Sequence, residues 1–297
     1  MNKPILLTKK KLVKPIEQAL ERIEAIRQKK TANVDSIILE GLFTLAVASF
    51  EHSLNDTLRE LLTSIPEKLD IKTEPITKDE LLYGEPLKHA IENKVTAIGY
   101  KSLSEILKYF YKTTDISENA VSEDNLNKLL EIKATRNLLM HNNLTINNIY
   151  KETAGPNKRS SQSQNRLSID QDYLFDSLTT IRQVLENIKD ELTVKYSTFT
   201  KIKATKNLFQ YIFGPNSVMS FEDEFYLMEN IDEVGGIKQD STRIEWLSTS
   251  ERFFYNLWLA HSHDQRFDFE PGAIYRLDNR NRKKLEYFLN ALDSLKS

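Results

Sequence analysis

Arg136, Asn137 and His141 stand within one stretch, Glu131-Ile-Lys-Ala-Thr-Arg-Asn-Leu-Leu-Met-His-Asn-Asn, and their side-chain types suit work on a phosphodiester. On a helix, at about 100° and ~1.5 Å per residue, Asn137 and His141 stack one turn apart on the same face. Arg136 sits beside Asn137, about 140° round from His141, and its long side chain can bend back to that face. One helix then presents a guanidinium, an amide and an imidazole around one spot. Arg is permanently cationic and can grip two phosphate oxygens at once. His exchanges a proton near neutral pH. Asn can orient the imidazole through a hydrogen bond or contact the substrate. RNA carries its own nucleophile, the 2′-OH. A base that removes its proton, with a cation on the developing phosphorane, suffices for cleavage without a metal. The products expected are a 2′,3′-cyclic phosphate and a 5′-hydroxyl. Spacing by itself also fits a plainer picture, a surface Arg and a helix-terminal His that suits the dipole.

The elements that must hold this trio are legible in what the chain lacks. Its 297 residues include 8 Gly and 8 Pro, well below average usage of about 7% and 5%. Few sharp turns are available, which argues against sandwiches and barrels and for long helices. There is no cysteine, which excludes disulfides, Cys-ligated zinc, iron–sulfur clusters and cysteine nucleophiles. The formal charge of −2 gives no global basic excess, so a nucleic-acid site must be a local patch. The longest apolar stretch, Ile37 to Phe50, is interrupted by Glu40 and reads as too short to span a bilayer. The N-terminus lacks the long apolar run of a signal peptide, so a cytoplasmic setting is expected.

Apolar periodicity predicts helices over about 11–30, 33–64, 87–111, 122–141 and 167–196. The second is apolar nearly all round in its first half and is expected to be central. Ser122 looks like an N-cap followed by acids, opening the helix that bears Arg136 and His141. Beyond residue 196, helices are expected near 199–213, 221–231, 246–261 and 280–295, with a small hairpin near 266–276. The expected fold is therefore mainly α. An N-terminal helix (1–30) leads into a helical domain (31–196), followed by a C-terminal α-rich module (197–297).

The linker Gly155-Pro-Asn-Lys-Arg-Ser-Ser-Gln-Ser-Gln-Asn-Arg166 is basic and polar. Its Lys158, Arg159 and Arg166 are candidate RNA contacts, alongside Lys133 one turn before Asn137. A solvated loop and an ordinary exposed lysine are the plainer alternatives. His261-Ser-His263-Asp264 and the acids of Glu222–Glu233 read better as helix ends and charged faces than as metal ligands. The aromatic clusters Tyr109-Phe110-Tyr111 and Phe253-Phe254-Tyr255 read as core before base-stacking surface. No metal and no cofactor is expected, and no glycine-rich phosphate loop is present.

The segment Arg136-Asn-Leu-Leu-Met-His141 resembles the signature of the HEPN superfamily (higher eukaryotes and prokaryotes nucleotide-binding domains). That signature is an Arg, commonly followed by Asn, and then a His after a short gap. The flanks agree. His141-Asn142-Asn143 with Asn147 and Tyr150 resembles the run after the motif in prokaryotic branches, and Ala46 to Leu62 resembles their first long core helix. The likeness covers about residues 33–195. It implies a helical bundle that dimerises with two Arg–His motifs in one cleft, and a metal-independent endoribonuclease of the toxin–antitoxin or anti-phage kind. On that likeness Arg136 would bind the scissile phosphate and His141 would be general base or acid. Asn137 would position His141 or shape the cleft, and Glu51 would supply an acidic residue near the motif. The implied partners are RNA, a second copy and an antitoxin or sensor protein, with no membrane. The alternative from the same family is a non-catalytic module that binds RNA, a nucleotide or a partner protein.

Overall fold

The computed structural model describes residues 4–29, 34–71, 84–160, 165–215, 279–292 and 295. The chain divides into two compact units, Lys11–Ser197 and Met1–Lys10 with Thr198–Ser297. The fold is mainly α. Among the described residues no strand forms, and the one β feature is an isolated antiparallel bridge between Thr145 and Arg166.

In the larger unit, helix α1 (Lys9–Arg27) buries Leu12, Val13, Ile16, Ala19, Ile23 and Ile26 along one stripe. Helix α2 (Ser36–Ser64) is the axis of the unit. Phe43, Val47, Phe50, Leu54, Leu58, Leu61 and Leu62 recur at helical spacing and are all buried. By length and composition α2 would pass for a membrane span, and here those residues form the core of a bundle. Its first turn departs from the central placement expected, since Ile37 and Ile38 are exposed.

The sequence pattern over 87–111 reads as one helix, and the structure breaks it in two. Helix α3 (Pro86–Gly99) and helix α4 (Leu103–Thr114) are separated by Tyr100, Lys101 and Ser102. The cause is a capping box. Ser102 Oγ accepts from the Glu105 N–H at 3.3 Å, and Glu105 Oε2 accepts from the Ser102 N–H at 3.2 Å. This satisfies two orphan donors of the new helix reciprocally, which continuation of α3 would not. The same hydroxyl and N–H hold the Glu105 carboxyl below its ordinary pKa. Ser102→Ala should cost about 1 kcal/mol, read as an earlier midpoint in urea unfolding.

Helix α5 (Glu123–Asn142) carries the Arg–His motif and starts where the sequence places it. Ser122 Oγ accepts from the Asn125 N–H, with Glu123 and Asp124 in the first turn. It packs against α2, α4 and helix α7 (Gln171–Lys195). Helix α7 is capped by Asp170 and buries Leu174, Leu178, Ile181, Leu185, Ile188 and Leu192. Between them lies the short helix α6 (Asn148–Thr153) and a 3₁₀ turn at Gly155–Asn157. Tyr109, Phe110 and Tyr111 are buried, in keeping with a core role.

In the smaller unit, helices α8 (Lys201–Phe213) and α9 (Asn279–Leu292) meet through Phe209, Phe213 and Phe288. Ring centroids lie 4.7–6.3 Å apart. The helices expected at 221–231 and 246–261, the hairpin at 266–276, the acidic run 222–233, Phe253–Tyr255 and the His261–Asp264 cluster lie outside the described residues.

Candidate functional site

Helix α5 must stop just after His141, and the next residues show how. Asn143 takes a left-handed conformation (φ 47°) and its N–H returns to the Leu138 carbonyl. Leu144 follows, also left-handed (φ 61°) and buried. A bulky residue there is uncommon, and the burial of its side chain offsets the strain. The chain then runs beside 165–167, with Ile146 N–H to Asn165 O at 2.8 Å and Leu167 N–H to Leu144 O at 2.9 Å. Arg166 donates to Asn143 Oδ1 at 2.8 Å. This junction fixes the last turn of α5, and with it His141.

Arg136, Asn137 and His141 line one cleft of about 620 Å³, with Lys133, Glu51, Tyr100, Lys101 and Asn147 among its walls. That volume suits a small ligand or a few nucleotide atoms. The three motif residues are thus brought together, as their helical spacing implies. A smaller hollow of about 180 Å³ shares Glu51, Gly99 and Arg136 with it and is also lined by His52 and Asn55. Arg136 is half-buried. Its Nη1 donates to Asn137 Oδ1 at 3.1 Å, and its Nε is buried with no hydrogen-bond partner. The Asn137 amide oxygen therefore serves the guanidinium. Helical spacing leaves Asn137 to orient the imidazole, contact the substrate or shape the cleft, and the hydrogen bond formed is to Arg136. His141 is exposed in the last turn of α5.

Glu51 of α2 reaches the motif. It pairs with Lys133 at 2.8 Å, and both side chains are largely buried. Lys133 is thus committed to Glu51 rather than standing as the ordinary exposed lysine of the plainer alternative. The linker residues are not among the cleft walls. Lys158 is exposed. Arg159 lies 3.8 Å over the Tyr173 ring and donates to Ser168 O at 2.6 Å. Arg166 is held by Asn143, as above. Among the described residues no group of three His, Asp or Glu is placed to hold a metal ion.

The residue that the sequence reading missed is Glu131. It is 4% exposed, and acids are almost never that buried without partners. Its Oε1 accepts from Thr135 Oγ1 at 2.6 Å and from the Tyr150 hydroxyl at 2.8 Å. Its Oε2 accepts from the Tyr173 hydroxyl at 2.8 Å. Tyr150 in turn accepts from the Arg159 N–H at 3.0 Å. One carboxylate thereby ties α5 to α6, to α7 and to the 158–160 segment, five residues before Arg136. Helical spacing alone gave no signal for it: Glu131 shares its face with Lys128, Thr135 and Leu138, a mixed stripe that reads as solvent-facing.

Burial first, and the Glu131 charge second, push the Tyr150 phenol up to about 12 and the Tyr173 phenol well above its ordinary value. These phenols stay protonated in the folded state at a pH where an unfolded tyrosine ionises. Their contribution is complete below pH ~10 and is lost as pH rises through the folded value. Urea unfolding at a series of pH values should show stability falling between about pH 10 and 12, less steeply in Tyr150→Phe.

Comparison of the chain with models of protein families, with curated proteins and with solved structures finds no match.

Proposed function

We propose that this chain is a metal-independent endoribonuclease of the HEPN type. The observation that carries the reading is the placement of Arg136, Asn137 and His141 on the walls of one cleft. There the guanidinium has one nitrogen braced by Asn137 and a buried Nε without an acceptor. A buried donor without a partner needs an explanation, and a phosphate oxygen supplies one once the half-buried side chain turns to bring Nε to the cleft. In the proposed reaction His141 takes the proton of a 2′-OH, and the alkoxide attacks the adjacent phosphorus. Arg136 bears the negative charge gathering on the phosphorane oxygens. The P–O5′ bond breaks and the 5′-oxygen leaves with a proton, giving a 2′,3′-cyclic phosphate and a 5′-hydroxyl.

The active form is a homodimer in which two such motifs share one cleft, so that one His141 can act as base and its counterpart as acid. The setting is the cytoplasm, in phage defence or toxin-like growth arrest, with an antitoxin or sensor protein as regulator. This setting rests on the HEPN likeness. The test is RNA incubated with the purified protein in EDTA. His141→Ala should lower the cleavage rate by at least about a hundredfold, the usual worth of a positioned acid or base. Equal rates for wild type and variant would reject the catalytic reading.

A further inference from the structure

Tyr100 is 88% exposed, more than any other large apolar or aromatic side chain among the described residues. Its backbone, by contrast, is fixed. It caps α3 with its N–H on the Thr96 and Ile98 carbonyls, and two residues later the Ser102–Glu105 capping box starts α4. An anchored main chain thus holds out an aromatic ring that gains nothing from packing. A lone exposed aromatic needs no explanation by itself, but this one lines the same cleft as Arg136 and His141. Of the cations on its walls, Lys133 pairs with Glu51 at 2.8 Å and Lys101 with Glu105 at 3.6 Å, and Arg136 has no ion pair among the described residues. Ile149, 69% exposed, adds an apolar wall from α6.

A cationic cleft with an unpacked aromatic on its wall matches the needs of a single-stranded nucleic acid. The guanidinium of Arg136 takes a phosphate and the ring takes a base face, which every base possesses. A duplex offers no free face, because its bases are already stacked on one another. We propose that Tyr100 is a stacking platform for an unpaired base of the RNA substrate whose neighbouring phosphate lies at Arg136. This rests on the nuclease reading of the cleft. Neither Tyr100 nor Lys101 belongs to the Arg–His signature, so the inference is carried by the fold.

The test is binding of a fluorescein-labelled, mixed-sequence single-stranded RNA, followed by anisotropy, in the His141→Ala background so that the probe stays intact. Tyr100→Ala should weaken binding about tenfold, and Tyr100→Phe should stay within about twofold of the parent. The same sequence as a duplex should bind more weakly and be indifferent to Tyr100→Ala. Unchanged affinity for single strands in Tyr100→Ala overturns the proposal, as does absence of RNA binding by the His141→Ala protein. A Tyr100→Ala protein that falls from dimer to monomer on a sizing column also overturns it, since Tyr100 is then a protein contact. The two readings fail separately. Cleavage that needs Arg136 but ignores Tyr100→Ala removes the platform alone, and Tyr100-dependent binding without any cleavage removes the nuclease alone.

Discussion

Arg136→Ala should lower the rate of RNA cleavage by about a thousandfold, the scale on which a preorganised charge on a transferring phosphate acts. Arg136 holds the phosphate in place and, above all, meets the charge that develops as the phosphorane forms. The loss should therefore fall on kcat more than on KM. Arg136→Lys is the informative partner. It keeps the charge but loses the planar fork, and its ammonium cannot both reach Asn137 as Arg136 Nη1 does and hold two phosphate oxygens. It should recover part of the rate and remain about a hundredfold below wild type. The side chain is only half-buried, so the melting temperature of either variant should change little. Initial rates at saturating RNA, with a thermal melt beside them, read both. A loss below tenfold would mean that the guanidinium is not at the reacting phosphate.

The second large effect is on stability. Glu131→Ala removes the acceptor shared by Thr135, Tyr150 and Tyr173. Three hydroxyl protons then lose their acceptor, at about 1–3 kcal/mol each before relaxation, although Tyr150 still accepts from the Arg159 N–H. A net loss of about 4 kcal/mol is expected, or a fall of about 10 °C in the melting of the Lys11–Ser197 unit. Glu131→Gln should be milder. Its amide oxygen still accepts, and the third hydroxyl can rotate to accept from the amide NH₂. Activity should fall with Glu131→Ala even below the melt, because α6 and the 158–160 segment lose their tie to α5. Calorimetry on the three proteins checks the order. An alanine variant as stable as wild type would show that the carboxylate is not what joins these elements.

The helix that bears the motif was legible from one cap and one periodicity. Ser122 with Glu123 and Asp124 marks its start, and the shared face of Asn137 and His141 places both on one cleft wall. Helix α7 was legible in the same way, from six apolar residues at helical spacing. The break between α3 and α4 was not. Gly99 alone is a weak signal, and apolar residues continue at helical spacing through Leu103, Ile106 and Leu107. The decisive pattern, Ser102 followed by Glu105, lies inside that run, where hydrophobic periodicity hides it. What hinges on it is Tyr100, which a continuous helix would have carried as one more surface residue.

The partnerships around the motif were hidden for another reason. Glu131, Lys133 and Arg159 are all charged, and composition treats such residues as solvent-facing. Their partners, Tyr150 with Tyr173, Glu51, and Tyr173 with Ser168, come from other elements. Only tertiary packing brings them within reach, and no local pattern encodes that. The same holds for Asn137, whose choice of Arg136 over His141 is a matter of side-chain geometry that helical spacing leaves open.

The claim on which the account turns is that the substrate's own 2′-OH is the nucleophile. It is tested most directly by the ends of the products. A single-stranded RNA and the DNA of the same sequence are incubated with the protein in EDTA, and the fragments are analysed for end groups. Only the RNA should be cut, leaving 2′,3′-cyclic phosphates and 5′-hydroxyls. Cleavage of the DNA, or RNA fragments bearing 5′-phosphates, would contradict it.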